Sequence, residues 1–459
     1  MSRPDSLLSR LGRRLGAQTR VLVKNSSWVF AANGYRAVLA LAKSVVIARG
    51  LGAELYGHYV LIFAFVVTVQ EFFNLNVGSA LIKFGADYRS VGRLDKLAAL
   101  VKAAVVACAV LGALSVAVVA GVSHLFYDAV IGVPGLEVYV VLYALVASTT
   151  FVNTVSQGLL RLFFRFKTNS LIFMATGTLD LIVMASVLMV YPHALEPFLV
   201  AMIAAKLADS AILNVAAFWE VRGEFRGQGR APMRSLRDDR RDIGSFVLQN
   251  SAGRTLKTLM DRGDVLLLGA FSTSAQVGLY DIAKKLAFTV LRLTDPLERA
   301  IYPQLAELIS ADRSREARHL LKRVTLGFGA ASVLALAVAA LTGEWVMATA
   351  YGSEFGAASA LLLVHLASAS IMATLFWALP AVQSLNILGV RVRITAVAFV
   401  VCGLVAFVLA PPYGALGVAL AVLLSKVLIF GDMARASVSR LRVVGQPSGS
   451  APVPQGGLT

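Results

Sequence analysis

The sequence predicts an all-α polytopic membrane protein of about twelve transmembrane helices, arranged as two six-helix bundles in a 6+6 parallel repeat. Three observations carry this reading. A hydrophobic fraction of 58% against 15% charged residues extends over the whole 459-residue chain, which leaves no stretch for a large soluble domain. The Lys and Arg of the loops between apolar stretches fall in every second loop, as short cytoplasmic loops retain cations. The longest strongly charged connector, 220–243, lies midway with six apolar stretches on either side.

A span needs about 20 apolar residues to cross the hydrocarbon. The spans run 26–49, 58–82, 98–121, 137–158, 170–190, 198–219, 244–269, 279–303, 324–342, 357–384, 394–410 and 414–431. Lipid cannot hydrogen-bond an exposed backbone, so each is expected to be helical. The loops 50–57, 122–137, 191–197, 270–278, 343–356 and 410–414 carry no Lys or Arg. The alternate loops hold Lys83, Arg89, Arg93 and Lys96, then Arg161, Arg165 and Lys167, then seven arginines from Arg222 to Arg241. Further on come Arg313, Arg315, Arg318, Lys322 and Arg323, and lastly Arg391 and Arg393. This sorting places both ends of the chain in the cytoplasm.

The domains expected are a cytoplasmic amphipathic segment at 1–25, a six-helix bundle at 26–219, the basic connector at 220–243, a second bundle at 244–432 and a cytoplasmic tail at 433–459. Leu7, Leu8, Leu11 and Leu15 opposite Arg10, Arg13 and Arg14 suit a helix lying on the membrane surface. No apolar core precedes a small-residue cleavage site there, so it does not read as a cleavable signal. The tail from 446 onward, rich in Pro, Ser and Gly, has the composition of a disordered end. A repeat is visible between halves. Gly57-His58-Tyr59 and Gly278-Leu279-Tyr280 each follow an apolar helix end, 221 residues apart, as in transporters built from parallel repeats.

The net charge of +17 would suggest nucleic acid in a soluble protein. Here the loop cations face one side of a membrane, so anionic lipid is the partner and no nucleic acid is implied. Cys108 and Cys402 both lie inside spans, so neither a disulfide framework nor a cysteine metal site is supported. No Gly-x-x-x-x-Gly-Lys-Ser/Thr occurs, which argues against ATP hydrolysis by this chain. No catalytic residue, metal or cofactor is assigned.

Charges inside spans are costly, roughly 2.5–3.5 kcal/mol at the centre of a lipid-facing helix, and so gather in a bundle interior or watery cavity. The seventh span places Asn250, Arg254, Lys257, Asp261 and Asp264 at steps of four and three, which is one helical face. The eighth repeats the spacing with Asp281, Lys285, Arg292, Asp295 and Arg299, and the first is sparser, with Asn33, Arg36 and Lys43. Arg36 and Arg254 lie roughly 15 Å above the cytoplasmic end and Arg292 roughly 20 Å below the outer end at ~1.5 Å per residue, all near mid-membrane. The competing account is internal pairing, with Asp261, Asp264, Asp281, Asp295, Glu298 and Glu71 neutralising the cations. It has least purchase on Arg36 and Lys43, whose own helix offers no acid. Asp180 and the Lys206/Asp209 pair read as structural polar glue, and His365 as a buried core histidine.

The run Ala48-Arg49-Gly50-Leu51-Gly52-Ala53-Glu54-Leu55-Tyr56-Gly57-His58-Tyr59 resembles the first-hairpin signature of the polysaccharide transport family. These are the O-antigen and exopolysaccharide lipid-linked oligosaccharide flippases of the multidrug/oligosaccharidyl-lipid/polysaccharide exporter superfamily. Similarity continues in 264–280, in Asp295-Pro296 through Tyr302-Pro303, and in Tyr413-Gly414-Ala415-Leu416-Gly417. The resemblance implies two six-helix bundles around a central cavity, alternating access, and an undecaprenyl-pyrophosphate-linked sugar unit moved from the inner to the outer leaflet of a bacterial inner membrane. It also implies association with a polysaccharide polymerase and chain-length machinery. The related peptidoglycan lipid flippases carry two additional helices for which this chain has no room.

The residue chemistry agrees with that implication. Guanidinium and ammonium groups of Arg36, Lys43, Arg254, Lys257, Lys285 and Arg292 can replace the hydration of a lipid pyrophosphate. Asn33, Gln70, Asn74 and Asn250 suit sugar hydroxyls, and Glu71, Asp261, Asp264 and Asp295 are candidates for coupling transport to an ion. Two other functions compete. A cation-coupled multidrug exporter of the same superfamily would favour acidic groups for a cationic drug. A membrane-embedded polysaccharide polymerase or glycosyltransferase would call for a larger extramembrane portion than the basic connector.

Overall fold

The computed structural model describes residues 17–130, 135–225, 232–291 and 294–444. The surface helix expected at 1–25 lies mostly outside these residues, and the tail from 445 entirely. Described residues form α-helices and short 3-10 turns: α1 Ala17–Glu71, α2 Val77–Ser90, α3 Leu94–Val130, α4 Glu137–Leu162, α5 Phe166–Val190, α6 Leu195–Val221 and α7 Arg240–Phe271. These are followed by α8 Ser274–Leu291, α9 Asp295–Ser310, α10 Ser314–Tyr351, α11 Ser359–Thr374, α12 Ala378–Ser384 and α13 Leu388–Val444.

Among the described residues, eight helical stretches are long and apolar enough to cross a membrane. Two of them are too long for one crossing. Ala32–Glu71 has 40 residues and Leu388–Arg442 has 55, whereas ~30 Å of hydrocarbon needs about 20 at ~1.5 Å each. Each therefore holds two of the twelve expected spans, the eight stretches hold ten, and α7 and α8, which carry the charged stripes, correspond to the other two.

The loops expected at 50–57 and 410–414 are thus shorter than the composition suggested. Helix continues up to and beyond a single glycine in each case, Gly52 at φ 78, ψ 171 and Gly414 at φ 53, ψ −131. Glycine reaches this half of φ/ψ space without a Cβ penalty. At the first junction the His193 N–H donates to the Gly50 carbonyl at 2.8 Å. At the second the Ala415 N–H donates to Gln276 Oε1 at 3.0 Å, and a Cβ on Gly414 would lie only 2.1 Å from that oxygen.

Two expected spans are also interrupted. The second, 58–82, breaks at 72–76 between α1 and α2, and the tenth, 357–384, breaks at 375–377 between α11 and α12. A backbone break inside a membrane must find partners in the protein. The first break takes them from α7, as described below. At the second, turn hydrogen bonds serve the backbone, the Leu375 N–H donating to the Ile371 carbonyl at 3.0 Å and the Ala378 N–H to the Leu375 carbonyl at 2.9 Å, while the Trp377 indole N–H ties the turn to Thr325 Oγ1 of α10 at 2.8 Å.

The chain divides into two compact units, Met1–Leu266 and Leu267–Thr459. The division falls inside α7, beyond the basic connector. Most of α7 packs with the first unit, whose core joins Leu81, Leu97, Phe151, Leu160 and Leu213 to Val247 of α7. In the second unit, His365 of α11 is fully buried, edge-on to Tyr280 of α8 with centroids 4.7 Å apart.

Candidate functional site: polar helices of the first unit

The polar residues of α1 face α5. Tyr35 and Thr178 hydrogen-bond through their hydroxyls. The Arg36 guanidinium lies 3.8 Å from the Phe173 ring centroid, and the Lys43 ammonium donates to Asp180 at 2.7 Å. Both contacts advance seven residues in the same direction, so the first half of α1 and α5 run parallel, as two odd-numbered spans must. The neighbouring charges that act most on Arg36 are Arg161 at the end of α4 and Asp209 of α6. Asp209 also approaches Lys206, at 3.8 Å. Asn33 is exposed one turn before Arg36.

Around the break at 72–76 the polar groups of α7 close the gap. Arg254 Nε meets Glu71 Oε1 at 2.7 Å, and the Glu71 side chain is only 7% exposed. Thr255 donates to the Glu71 carbonyl at 3.3 Å, and the Asn76 N–H donates to Ser251 Oγ at 3.0 Å. Free backbone groups at helix ends are thereby satisfied. Gln70 is fastened too: its amide donates to the Ala144 carbonyl at 2.7 Å and to Ser115 at 3.3 Å. Asn74 is buried beside it in sequence. The Arg262 guanidinium sits 4.7 Å from the Phe63 ring centroid.

The predicted stripe on α7 divides in its attachments. Arg254 reaches α1, whereas Lys257 pairs with Asp261 one turn along its own helix at 3.0 Å, with Lys257 78% exposed. Asn250 is exposed and donates to the Phe246 carbonyl of its own helix at 2.8 Å. Asp264 is buried, and its carboxylate accepts the Val265 N–H at 2.9 Å. In the second unit, Lys285 pairs with Asp281 on α8 at 2.6 Å. Arg292 and the side chain of Asp295 lie outside the described residues.

A family model described as "Polysaccharide biosynthesis protein" matches residues 22–309, more than half of the chain. The chain belongs to this family. The match takes in α1 through α9 almost completely, and with them every polar helix just described. Among relatives of the family member, the "Probable flippase AglR" of Haloferax volcanii is 24% identical over 168 residues. That is 36% of this chain and 35% of the relative, so the chain spans about a third of that protein's length. Among solved structures, a multidrug resistance MATE family transporter of the MOP superfamily in an inward-facing conformation matches with a TM-score of 0.65 at 14% identity, over 89% of this chain and 95% of the other. Lipid II flippase MurJ in an inward closed conformation matches with a TM-score of 0.64 at 10% identity, over 92% and 90%. At such identities the likeness is one of fold. This family member is a multi-pass membrane protein with a transporter fold.

Several contact residues were not singled out from the sequence. Asp180 was read as polar glue, and the structure makes it the partner of Lys43. Its signal was available, since an acid alone in an apolar span calls for a cation nearby. Phe173, Ser251 and Thr255 gave no such signal, because an aromatic or hydroxyl in a membrane helix is commonplace.

Proposed function

We propose that this protein is a flippase that moves undecaprenyl-pyrophosphate-linked oligosaccharide repeat units from the cytoplasmic to the outer leaflet by alternating access, for O-antigen, exopolysaccharide or capsule assembly. The observation that carries the reading is the setting of Arg36. A guanidinium half-buried in an apolar helix packs on the face of Phe173, an arrangement that holds the group in place while leaving N–H donors for an anion. Lys43, Arg254 and Lys257 are further cations of the same unit, and the residue types and spacing of the sequence add Lys285 and Arg292 as diphosphate ligands. Asn33, Gln70, Asn74 and Asn250 serve the sugar. Glu71 and Asp180 are the counterions that a diphosphate would displace, and Glu71, Asp261, Asp264 and Asp295 supply groups for coupling to an ion. The protein works as a transporter without chemistry of its own, in the bacterial inner membrane with both termini cytoplasmic, alongside the polymerase and chain-length machinery that use its product. Support comes from the family's role in polysaccharide synthesis and from the flippase named among its relatives.

The test is Arg36→Ala in a strain whose surface polysaccharide depends on this protein. Export should be lost, lipid-linked sugar should accumulate on the cytoplasmic face, and the variant should remain inserted at normal abundance. Arg36→Lys should rescue partly, because an ammonium cannot reproduce the guanidinium fork. Normal polymer in Arg36→Ala removes the proposed anion site.

A further inference from the structure

Beside the polar helices, the first unit has an open cavity of about 700 Å³ where α2 and α4 end and α5 begins. Its wall is of two kinds. Arg89 and Arg161 contribute guanidinium groups, and Ile82, Phe164 and Phe166 contribute apolar surface. None of the eight lining residues is acidic. The Arg89 side chain is steered by the Leu162 carbonyl, to which it donates at 3.4 Å, and by the Phe163 ring, 5.1 Å from its centroid. One of its five N–H donors is thus engaged and the others remain for a ligand.

Phe164 supplies a second, independent observation. It stands at φ 57 after the last turn of α4, where the Arg165 N–H returns to the Leu160 carbonyl at 2.7 Å and the Phe164 N–H to the Arg161 carbonyl at 3.1 Å. This is a helix-ending turn whose left-handed position Gly ordinarily takes. Here a large aromatic occupies it and is 63% exposed, with Phe166 at a ring distance of 6.2 Å. A strained residue that presents an aromatic to its surroundings points to something it meets there.

We propose that this cavity binds one anionic glycerophospholipid of the adjacent leaflet, with the phosphodiester between Arg89 and Arg161 and an acyl chain along Ile82, Phe164 and Phe166. Two guanidinium groups can hydrogen-bond both free oxygens of a phosphodiester, and the volume suits a head group and the first part of a chain. A free phosphate would leave the apolar half of the wall unused. The inference rests on the sorting of loop cations, which places these residues at one membrane surface, and is independent of what the protein transports.

The test is native mass spectrometry of the full-length protein in detergent, titrated in parallel with phosphatidylglycerol, phosphatidylcholine of the same chains, undecaprenyl phosphate and inorganic phosphate. One phosphatidylglycerol should be retained at concentrations where phosphatidylcholine is lost. Arg161→Gln should weaken that retention by about tenfold, the scale of one charge-assisted hydrogen-bonding group. Phe164→Gly relieves the backbone and should raise the melting temperature while reducing retention several-fold, so a folding defect cannot mimic the result. Equal retention of the two phospholipids, unchanged binding in Arg161→Gln, or displacement of phosphatidylglycerol by undecaprenyl phosphate or inorganic phosphate at equal concentration would overturn the proposal.

Discussion

Charge is held in two different ways on the polar helices. Lys43 and Arg254 take their carboxylates from other helices, Asp180 and Glu71. Lys257 and Lys285 take theirs from one turn away on the same helix, Asp261 and Asp281. A same-helix pair forms with the helix itself and fastens it to nothing. A cross-helix pair exists only after two elements have packed, so breaking it reports on tertiary structure. The lesson for a transporter is that residues of one stripe can differ in purpose: Arg254 closes a helix break, whereas Lys257, three residues on, is 78% exposed.

The sharpest way to break this comparison is at Arg254. One-sided removal of a buried pair leaves a charge without compensation, and with Arg254 39% exposed the loss should be about 2–3 kcal/mol. Arg254→Ala should therefore lower membrane abundance and thermal stability. Adding Glu71→Gln should restore most of both, and adding Asp261→Asn should restore neither. Recovery through Asp261 instead of Glu71 would overturn the cross-helix assignment.

A smaller effect is expected at Lys43 and Asp180, whose side chains are 24% and 27% exposed. A double-mutant cycle on Lys43→Met and Asp180→Asn should give a coupling of about 1 kcal/mol. Additive losses in that cycle would mean that the two groups do not interact.

Smaller still is a clasp outside the membrane, where Asp239 of the connector accepts from Lys96 at 2.6 Å and from Tyr88 at 2.7 Å. The hydrogen bonds from Lys96 and then Tyr88 hold the Asp239 carboxyl below the usual carboxylate range. A carboxylate lowered by folding stabilises the protein above its unfolded pKa and loses that contribution as pH falls through the folded value. Wild type should therefore exceed Asp239→Asn by less than about 1 kcal/mol at neutral pH, with the gap closing below the ordinary carboxylate pKa of about 4. Melting temperatures that stay equally far apart on acidification would remove the clasp.

The smallest change in stability belongs to Lys257→Gln. An exposed pair one turn apart on a helix contributes roughly 0.3–0.5 kcal/mol, so abundance and melting should barely move. Lost export at normal abundance would mark Lys257 as a ligand contact, and normal export would leave it a solvated charge.

The number of the spans was legible in the sequence because crossing hydrocarbon demands about 20 apolar residues in a row, a local requirement that ten of the twelve meet in their own composition. The polar faces of α1, α7 and α8 were legible for a similar reason, since helical periodicity is a property of one segment. Same-helix pairs such as Lys257 with Asp261 follow from that periodicity. Tertiary structure decided the rest. It reduced the loops at 50–57 and 410–414 to Gly52 and Gly414, each with its flanking backbone held by a distant residue, His193 or Gln276. It also chose Asp180 for Lys43 and Glu71 for Arg254, partners 137 and 183 residues away. Periodicity states which way a side chain points along its own helix; which helix stands opposite depends on packing, and packing is a property of the whole chain.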